Sequence, residues 1–162
     1  MNSAKTRAAI VAALRKIMPA HSILSDAEDT RPYECDALST YKQLPLIVVL
    51  PDNETQIVAI LKICRDFQVP VVPRGAGTGL SGGATPIEHG IVLSTAKLNK
   101  ILELNAYART AKVQPGVRNL AISDAAADAG VYYAPDPSSQ LACTIGGNVA
   151  ENAGGVHCTT YG

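Results

Sequence analysis

The residues from Arg74 to Pro86, RGAGTGLSGGATP, combine a high density of glycine with one cation and several hydroxyl groups. Within them, Gly77, Gly79 and Gly82 have the spacing G-x-G-x-x-G. Glycine is costly in conformational entropy, so such a cluster indicates a backbone with positive φ or a ligand that approaches where a Cβ atom would collide. A loop of this kind can turn successive backbone N–H groups toward an anion such as phosphate.

The G-x-G-x-x-G spacing is also typical of Rossmann dinucleotide sites, which need a helix that begins at the loop and an acidic residue about 20 positions further on. Glu103 has roughly that separation. However, only residues 83–89 separate the loop from a predicted strand at Gly90, and Pro86 lies among them, so no helix of normal length fits. A P-loop is also disfavoured, because the sequence G-K-[ST] is missing.

We therefore interpret the loop as a phosphate nest, in which Thr78 and Ser81 can add hydroxyl donors and Arg74 is the nearby cation. Together with a second loop at residues 146–155, it contains most of the 13 glycines. Residues 119–162 include no Lys or Arg, so any contact with a dinucleotide there must use backbone amides and neutral groups. The neutral candidates are Ser138, Ser139, Thr144 and Asn148. The alternative is a pair of glycine-rich turns without a ligand, which the combination of both loops disfavours.

The composition is that of an ordinary globular chain with one sizeable core, since 47% of its 162 residues are hydrophobic and 17% are charged. Basic and acidic residues balance at 14 each, which disfavours nucleic acid or an anionic membrane as a partner. The apolar run from Ala8 to Leu14 is only seven residues long and is followed at once by Arg15 and Lys16, which fits neither a signal peptide nor a transmembrane segment. We therefore expect a cytoplasmic protein.

The four cysteines lie far apart without a C-x-x-C pair, which indicates reduced, mostly buried thiols and no metal site. Apolar periodicity predicts an amphipathic helix from about Ser3 to Met18, followed by an irregular segment at residues 21–45 with at most a short helix. The next helix is expected to begin at Asn53, with Gln56 completing its cap. Another should run from about Asn119 to Gly130, and a loop-like chain from Tyr133 onward. Predicted strands lie at residues 46–50, 69–73, 90–94, 101–104 and 109–116.

Two stretches carry a specific resemblance, PVVPRGAGTGLSGGA and YYAPDPSSQLACTIGGNVAENAGGVHCTTYG. They closely resemble the FAD-linked oxidases of the vanillyl-alcohol oxidase superfamily, and within it the family of FAD-linked D subunits of glycolate oxidase. D-lactate and D-2-hydroxyglutarate dehydrogenases belong to the same group. The resemblance extends from about Tyr33 to Gly162.

The resemblance implies an α+β fold with a PCMH-type FAD-binding domain, built from two small α/β subdomains with the flavin between them. Residues 1–45 would form an N-terminal helix and an irregular lead-in, and residues 46–162 the FAD-binding domain. By the same resemblance, that domain is expected to be incomplete at its C-terminus, and the substrate-binding cap domain to be absent.

The resemblance also implies the cofactor-binding residues. Those that wrap the FAD pyrophosphate would be Pro73, Arg74, Gly75, Ala76, Gly77, Thr78, Gly79, Gly82, Gly83 and Ala84. Those that line the other side of the flavin would be Pro135, Asp136, Pro137, Ser138, Cys143, Thr144, Gly146, Gly147 and Asn148. Those near the isoalloxazine would be Asn152, Ala153, Gly154 and Gly155. Relatives with covalently bound flavin carry a histidine at the position of Thr78, so the FAD is expected to be non-covalent.

The family reaction implied is hydride transfer from the α-carbon of a 2-hydroxy acid, such as glycolate or D-lactate, to flavin, while a base takes the hydroxyl proton. In the family, the catalytic histidine and any metal ligands lie in the cap domain, so no catalytic residue and no metal ligand is expected here, and the isolated chain should be inactive. His21 and His89 are expected on the surface or in loops, and His157 is left open as a residue near the flavin. Asp136 is interpreted as a turn residue rather than a base.

The resemblance implies a small 2-hydroxy-acid substrate for the full-length enzyme. It also implies the other glycolate oxidase subunits as partners, among them an iron–sulfur subunit. Through these partner subunits the protein would be peripheral at the inner membrane. Two alternatives stay open. One is a non-catalytic module that folds without flavin, and the other is a different oxidase or reductase of the same superfamily, such as the reductase of peptidoglycan precursor synthesis.

Overall fold

A computed structural model describes residues 3–161, with side chains from Thr6 onward. The chain divides into two compact units. Unit 1 comprises the residues up to Arg74 together with Gly79–Lys97, and unit 2 comprises Gly75–Thr78 together with the residues from Leu98 onward. The first glycine loop therefore leaves unit 1 after Arg74 and returns to it at Gly79.

Unit 1 is built on a four-stranded sheet with the order β1-β2-β4-β3. Strand β1 runs antiparallel to β2, whereas β2 and β3 both pair in parallel with β4. The strands are β1 (Ile23–Leu24), β2 (Ile47–Val49), β3 (Val71–Arg74) and β4 (Ile91–Ser94). Every residue of β2 and β4 is buried, which explains why both strands are continuous apolar runs rather than alternating patterns.

Two helices complete the core of unit 1, α1 (Ser3–Leu14) and α3 (Glu54–Asp66). Alternate residues of β2 and β4 enter this core, because side chains along a strand point to opposite faces in turn. The buried cluster consists of Ile10, Leu14, Met18, Ile23, Ile47, Val49, Ile60, Cys64, Ile91 and Leu93. Its burial raises the pKa of the Cys64 thiol to about 11.

The start of α3 agrees with the predicted cap. The side chain of Asn53 accepts a hydrogen bond from the Gln56 N–H at 3.0 Å, and the Gln56 side chain accepts one from the Asp52 N–H at 2.7 Å. The two bonds satisfy backbone donors that a helix N-terminus otherwise leaves unpaired.

The lead-in contains more regular structure than predicted. Besides the short helix α2 (Ala27–Thr30), it forms two turns of 3-10 helix at Ala20–Ser22 and Arg31–Tyr33, and the strand β1. A two-residue strand has no periodicity to detect, so it depends on its pairing with β2. Helix α1 ends at Leu14, four residues before the predicted Met18, and residues 15–18 continue as turns.

Unit 2 begins with an antiparallel hairpin of β5 (Ile101–Asn105) and β6 (Thr110–Val113), with a bulge between Ile101 and Glu103. Helix α4 (Asn119–Ala126) continues as a 3-10 turn, and Gly130 follows it with a φ of 68°, as expected of a residue that ends a helix. Two further helices follow, α5 (Ile145–Glu151) and α6 (Cys158–Tyr161).

Helix α5 corrects the prediction that the chain is loop-like from Tyr133 onward. Gly146 and Gly147 lie in its first turn, and glycine has a low helix propensity. The turn is held from outside, because the Gly146 N–H donates to the Pro115 carbonyl at 2.9 Å and the Ile145 N–H donates to the Val117 carbonyl at 2.8 Å. Tertiary contacts thus override the local preference of the two glycines.

The α+β class is confirmed, since each unit combines helices with a sheet of its own. Among the helices described, none has both the length and the apolar character that crossing a membrane requires.

Candidate functional site

The first glycine loop directly follows β3, at the carboxyl end of a parallel strand. Gly77 has a φ of 74° and Gly82 a φ of 78°, values that residues with a Cβ atom rarely adopt. No helix forms between Gly75 and Gly90. The loop therefore lacks the helix of a Rossmann site, and its two positive φ values are of the kind that only glycine adopts easily.

The two glycine loops meet within unit 2. A Cβ atom on Gly75 would collide with Oγ1 of Thr144, and it would lie 3.8 Å from the backbone nitrogen of Gly147. Glycine at position 75 thus lets the first loop lie directly against the residues that precede and begin α5. Three of the predicted cofactor residues are brought together by this contact.

Other glycines of the second loop are required by the packing of one chain segment on another. A Cβ atom on Gly146 would lie 2.8 Å from Cβ of Pro115. Gly155 has a φ of 69°, and a Cβ atom there would collide with the carbonyl group of Asp136. Close approach of protein to protein is thus a reason for glycine density that the sequence analysis did not consider.

Asp136 holds the end of the second loop. Its N–H donates to the Gly154 carbonyl at 3.2 Å, and its Oδ1 accepts a hydrogen bond from the Val156 N–H at 3.1 Å. The same oxygen lies 3.1 Å from Nδ1 of His157, whose ring packs edge-on against Tyr161. Asp136 thus forms an isolated parallel bridge with Gly155 instead of the local turn predicted for it, and His157 lies beside it.

Asn119 is a structural contributor that the sequence analysis missed. It is 1% exposed, its side-chain amide donates to the Pro135 carbonyl at 3.0 Å, and its N–H donates to the Cys143 carbonyl at 3.0 Å. One residue therefore links two of the predicted flavin-lining segments. The sequence signal that could have drawn attention to Asn119 is its place at the start of a predicted helix, where asparagine usually serves as a cap.

Two buried side chains of unit 2 have polar atoms that bond to nothing in the described part of the chain, namely Oγ1 of Thr144 and Nδ2 of Asn148. Their residues are only 7% and 6% exposed. A buried polar group without a partner costs about 1–3 kcal/mol. Both are neutral groups that can donate to an anion, so the residues present fit a phosphate-bearing cofactor such as FAD.

Arg74 lies in unit 1 and is 9% exposed. Its Nη1 donates to the Cys35 carbonyl at 2.7 Å, and its guanidinium carbon lies 5.5 Å from the centre of the Tyr33 ring. Neither partner carries a negative charge, so these contacts orient the guanidinium without neutralising it.

The predicted cofactor residues are divided between the two units. Unit 1 contains Pro73, Arg74, Gly79, Gly82, Gly83 and Ala84. Unit 2 contains Gly75, Ala76, Gly77, Thr78, Pro135, Asp136, Pro137, Ser138, Cys143, Thr144, Gly146, Gly147, Asn148, Asn152, Ala153, Gly154 and Gly155. A pocket of about 250 Å³ in unit 1, lined by residues such as Arg7, Thr30 and His89, includes none of them.

The described residues include no group of three or more His, Cys, Asp or Glu side chains that could hold a metal ion. All four cysteines are free thiols. Cys64 and Cys143 are buried, Cys35 is half-buried, and Cys158 is exposed.

Comparison with known proteins agrees with this geometry. Residues 45–162 match a family model described as "FAD binding domain". The glycolate oxidase subunit GlcD of Escherichia coli (strain K12) is 59% identical over 156 residues, an alignment that covers 96% of this chain and 31% of that protein. A D-lactate dehydrogenase of Anaerostipes hadrus is 38% identical over 152 residues, which cover 91% of this chain and 31% of that protein.

The solved structure of an alkyldihydroxyacetonephosphate synthase has the same fold, with a TM-score of 0.83 at 22% identity. The similarity covers 96% of this chain and 34% of that one. The chain thus spans about a third of the length of the proteins it matches. Because the family model covers most of its residues, the chain belongs to the FAD binding domain family, as the resemblance of its two glycine loops predicted, and its cofactor is FAD.

Proposed function

We propose that the chain forms the FAD-binding portion of a flavin-dependent dehydrogenase or oxidase of 2-hydroxy acids, with glycolate or D-lactate as the substrate type. The observation that carries the proposal is the meeting of the two glycine loops at Gly75 and Thr144, where the Thr144 hydroxyl is buried and has no partner among residues 3–161. The names of the two relatives support the substrate class. We further propose that residues 46–162 are the FAD-binding domain and residues 1–45 its lead-in.

In this proposal the chain binds and orients the cofactor through its backbone. Gly77 allows the positive φ by which neighbouring N–H groups of unit 2 could turn toward the pyrophosphate. Oγ1 of Thr144 and Nδ2 of Asn148 would donate to the same ligand and so gain the partners that they lack among the described residues. Bound FAD supplies the two-electron oxidation of the substrate's α-carbon.

We propose that the FAD is held without a covalent bond. Thr78 occupies the position at which covalently flavinylated relatives carry a histidine, and an alkyl hydroxyl is a far weaker nucleophile than an imidazole. Unfolding of the flavin-loaded protein should release all of the flavin into solution. A yellow band that stays with the unfolded chain would contradict this assignment.

Substrate binding and proton abstraction are assigned to parts of the protein beyond these residues, so the chain alone should not oxidise a hydroxy acid. The GlcD relative is by its name one subunit of a larger oxidase, which supports partner subunits for the full-length protein. We propose an iron–sulfur subunit among them as the electron acceptor, with cytoplasmic location and peripheral attachment to the inner membrane through these partners.

The test is a visible absorption spectrum of the purified chain after incubation with FAD and removal of free flavin. A retained flavin spectrum is the expected result. A colourless protein with native circular dichroism would favour the alternative of a flavin-free, non-catalytic module. In the full-length protein, anaerobic glycolate or D-lactate should bleach the flavin absorption, and the failure of both would refute the substrate class.

A further inference from the structure

A segment of the lead-in, Tyr33–Leu38, contacts both ends of residues 74–79, the first part of the first glycine loop. At the entry, Arg74 donates to the Cys35 carbonyl at 2.7 Å and lies over the Tyr33 ring. At the exit, the Ala37 N–H donates to the Gly79 carbonyl at 3.0 Å. All of these residues belong to unit 1, and we refer to residues 33–38 as the clamp segment.

Asp36 sets the conformation of the clamp segment. It is 5% exposed, and its Oδ1 accepts a hydrogen bond from the Leu38 N–H at 2.8 Å, which closes a tight turn around Ala37. This turn directs the Ala37 N–H at Gly79. The second carboxylate oxygen, Oδ2, is buried and has no partner in the described part of the chain. Burial of a carboxylate oxygen without a hydrogen-bond partner is unfavourable, so we expect Asp36 to have a role that offsets this cost.

We propose that the clamp segment is a positioning element for cofactor binding, which fixes Arg74 and Gly79 so that the four residues between them are preorganised for a nucleotide pyrophosphate. A glycine-rich loop with free ends would lose much conformational entropy when it orders around a ligand. Anchoring both ends removes part of that loss before the ligand arrives. The inference rests on the proposed function, and it adds residues that precede the predicted FAD-binding domain to its binding machinery.

The proposal predicts that a change at Asp36 weakens only ligands that contain the pyrophosphate. Asp36→Ala should weaken FAD binding about fivefold, the effect of losing one hydrogen bond. Binding of riboflavin, which lacks the pyrophosphate, should not change. Asp36→Asn should restore the affinity for FAD, because the amide oxygen can accept the Leu38 N–H as the carboxylate does. A residue that only stabilises the fold would weaken both ligands alike.

The deciding experiment measures amide hydrogen exchange in the 162-residue chain without flavin. Asp36→Ala should raise exchange of the Ala37 amide, whose N–H donates to the Gly79 carbonyl, about fivefold and leave the amides of β2 and β4 unchanged. Asp66→Ala is the matched control, because Asp66 is an exposed acid that pairs only with its neighbour Arg65 among the contacts described. It should change neither region.

An unchanged exchange rate at the Ala37 amide, or an equal increase throughout unit 1, would show that the clamp segment does not hold the loop. If Asp36→Ala does not fold, Tyr33→Leu replaces it, since this change keeps apolar bulk at a half-buried position and removes only the ring beneath Arg74. For this variant too, an unchanged exchange rate or an equal increase throughout unit 1 would contradict the proposal. Failure of the wild-type chain to bind FAD would refute the proposed function instead, and the exchange measurement would still decide whether the clamp exists.

Discussion

The two glycine loops use the same residue for different physical reasons. In the first loop, Gly77 and Gly82 have positive φ values and shape the backbone, although Gly75 also makes room for Thr144. In the second loop, Gly146 lies in a helix pressed against Pro115, and Gly155, whose φ is also positive, lies against the backbone of Asp136, so making room for protein dominates there. Similar glycine density therefore predicts different sensitivities, of ligand binding in one loop and of folding in the other.

The largest expected effect is on stability, at Gly155. Gly155→Ala combines a strained positive φ with a collision against the Asp136 carbonyl, which cannot move as a flexible side chain can. We expect the free energy of unfolding to fall by about 3 kcal/mol, measured by urea denaturation of the flavin-free chain. A loss below about 1 kcal/mol would remove the packing role that distinguishes the second loop.

The next effect should appear in cofactor binding rather than in folding. Gly77→Val puts a branched side chain where the pyrophosphate is proposed to lie, and FAD affinity should fall by a factor of about 100 or more. The positive φ adds a strain of about 1–2 kcal/mol to the fold. Fluorescence titration with FAD measures the first quantity. Gly130→Val controls for the second, because Gly130 has a similar φ and nothing within 4 Å of an added Cβ.

If the Gly77→Val chain binds FAD as tightly as the wild type, the first loop does not contact the pyrophosphate at this residue. The contrast between the loops would then disappear, since no glycine of either loop would be shown to be needed for FAD binding.

A smaller change at Thr144 tests the point where the loops meet. Thr144→Val keeps the shape of the side chain and removes the buried hydroxyl that lacks a partner. Without FAD the chain should therefore be as stable as the wild type or slightly more stable, whereas FAD affinity should fall about tenfold. Paired thermal melts with and without FAD measure both quantities. A melt that drops without FAD would show that the hydroxyl serves folding instead.

The smallest effect is expected at Gly130, which calibrates the others. Gly130→Ala introduces the strain of positive φ alone, at a cost of about 1 kcal/mol, because the added methyl group meets open space. FAD affinity should not change. Urea denaturation and the same FAD titration check the two statements, and a loss as large as that at Gly155 would mean that backbone strain, not packing, governs both positions.

Local patterns predicted much of this molecule. The cap at Asn53 and Gln56, the buried strand at Ile47–Val49 and the glycine stop at Gly130 follow from residue types a few positions apart. The resemblance of the two glycine loops identified the family and the cofactor, which the family match confirms. The roles of the individual cofactor residues stay predictions.

What escaped prediction depends on contacts between distant residues. Helix α5 forms despite the two glycines in its first turn because this turn donates hydrogen bonds to the carbonyls of Pro115 and Val117, which lie about 30 residues earlier in the chain. The hydrogen bond from Arg74 to the Cys35 carbonyl joins residues 39 positions apart. The proposed role of Asp36 depends on this contact, because the contact brings the clamp segment to the first glycine loop. Such pairings leave no periodicity in a single sequence.

The four thiols differ in exposure, which allows a probe to be attached selectively beside the second loop. Cys64, whose pKa of about 11 keeps it protonated at neutral pH, and Cys143 are both shielded from reagents. Cys158 is exposed, and its N–H donates to the Gly155 carbonyl at 3.1 Å. In a Cys35→Ser chain, a dye could therefore be attached to Cys158 alone. Its fluorescence would report whether the second loop moves when FAD binds.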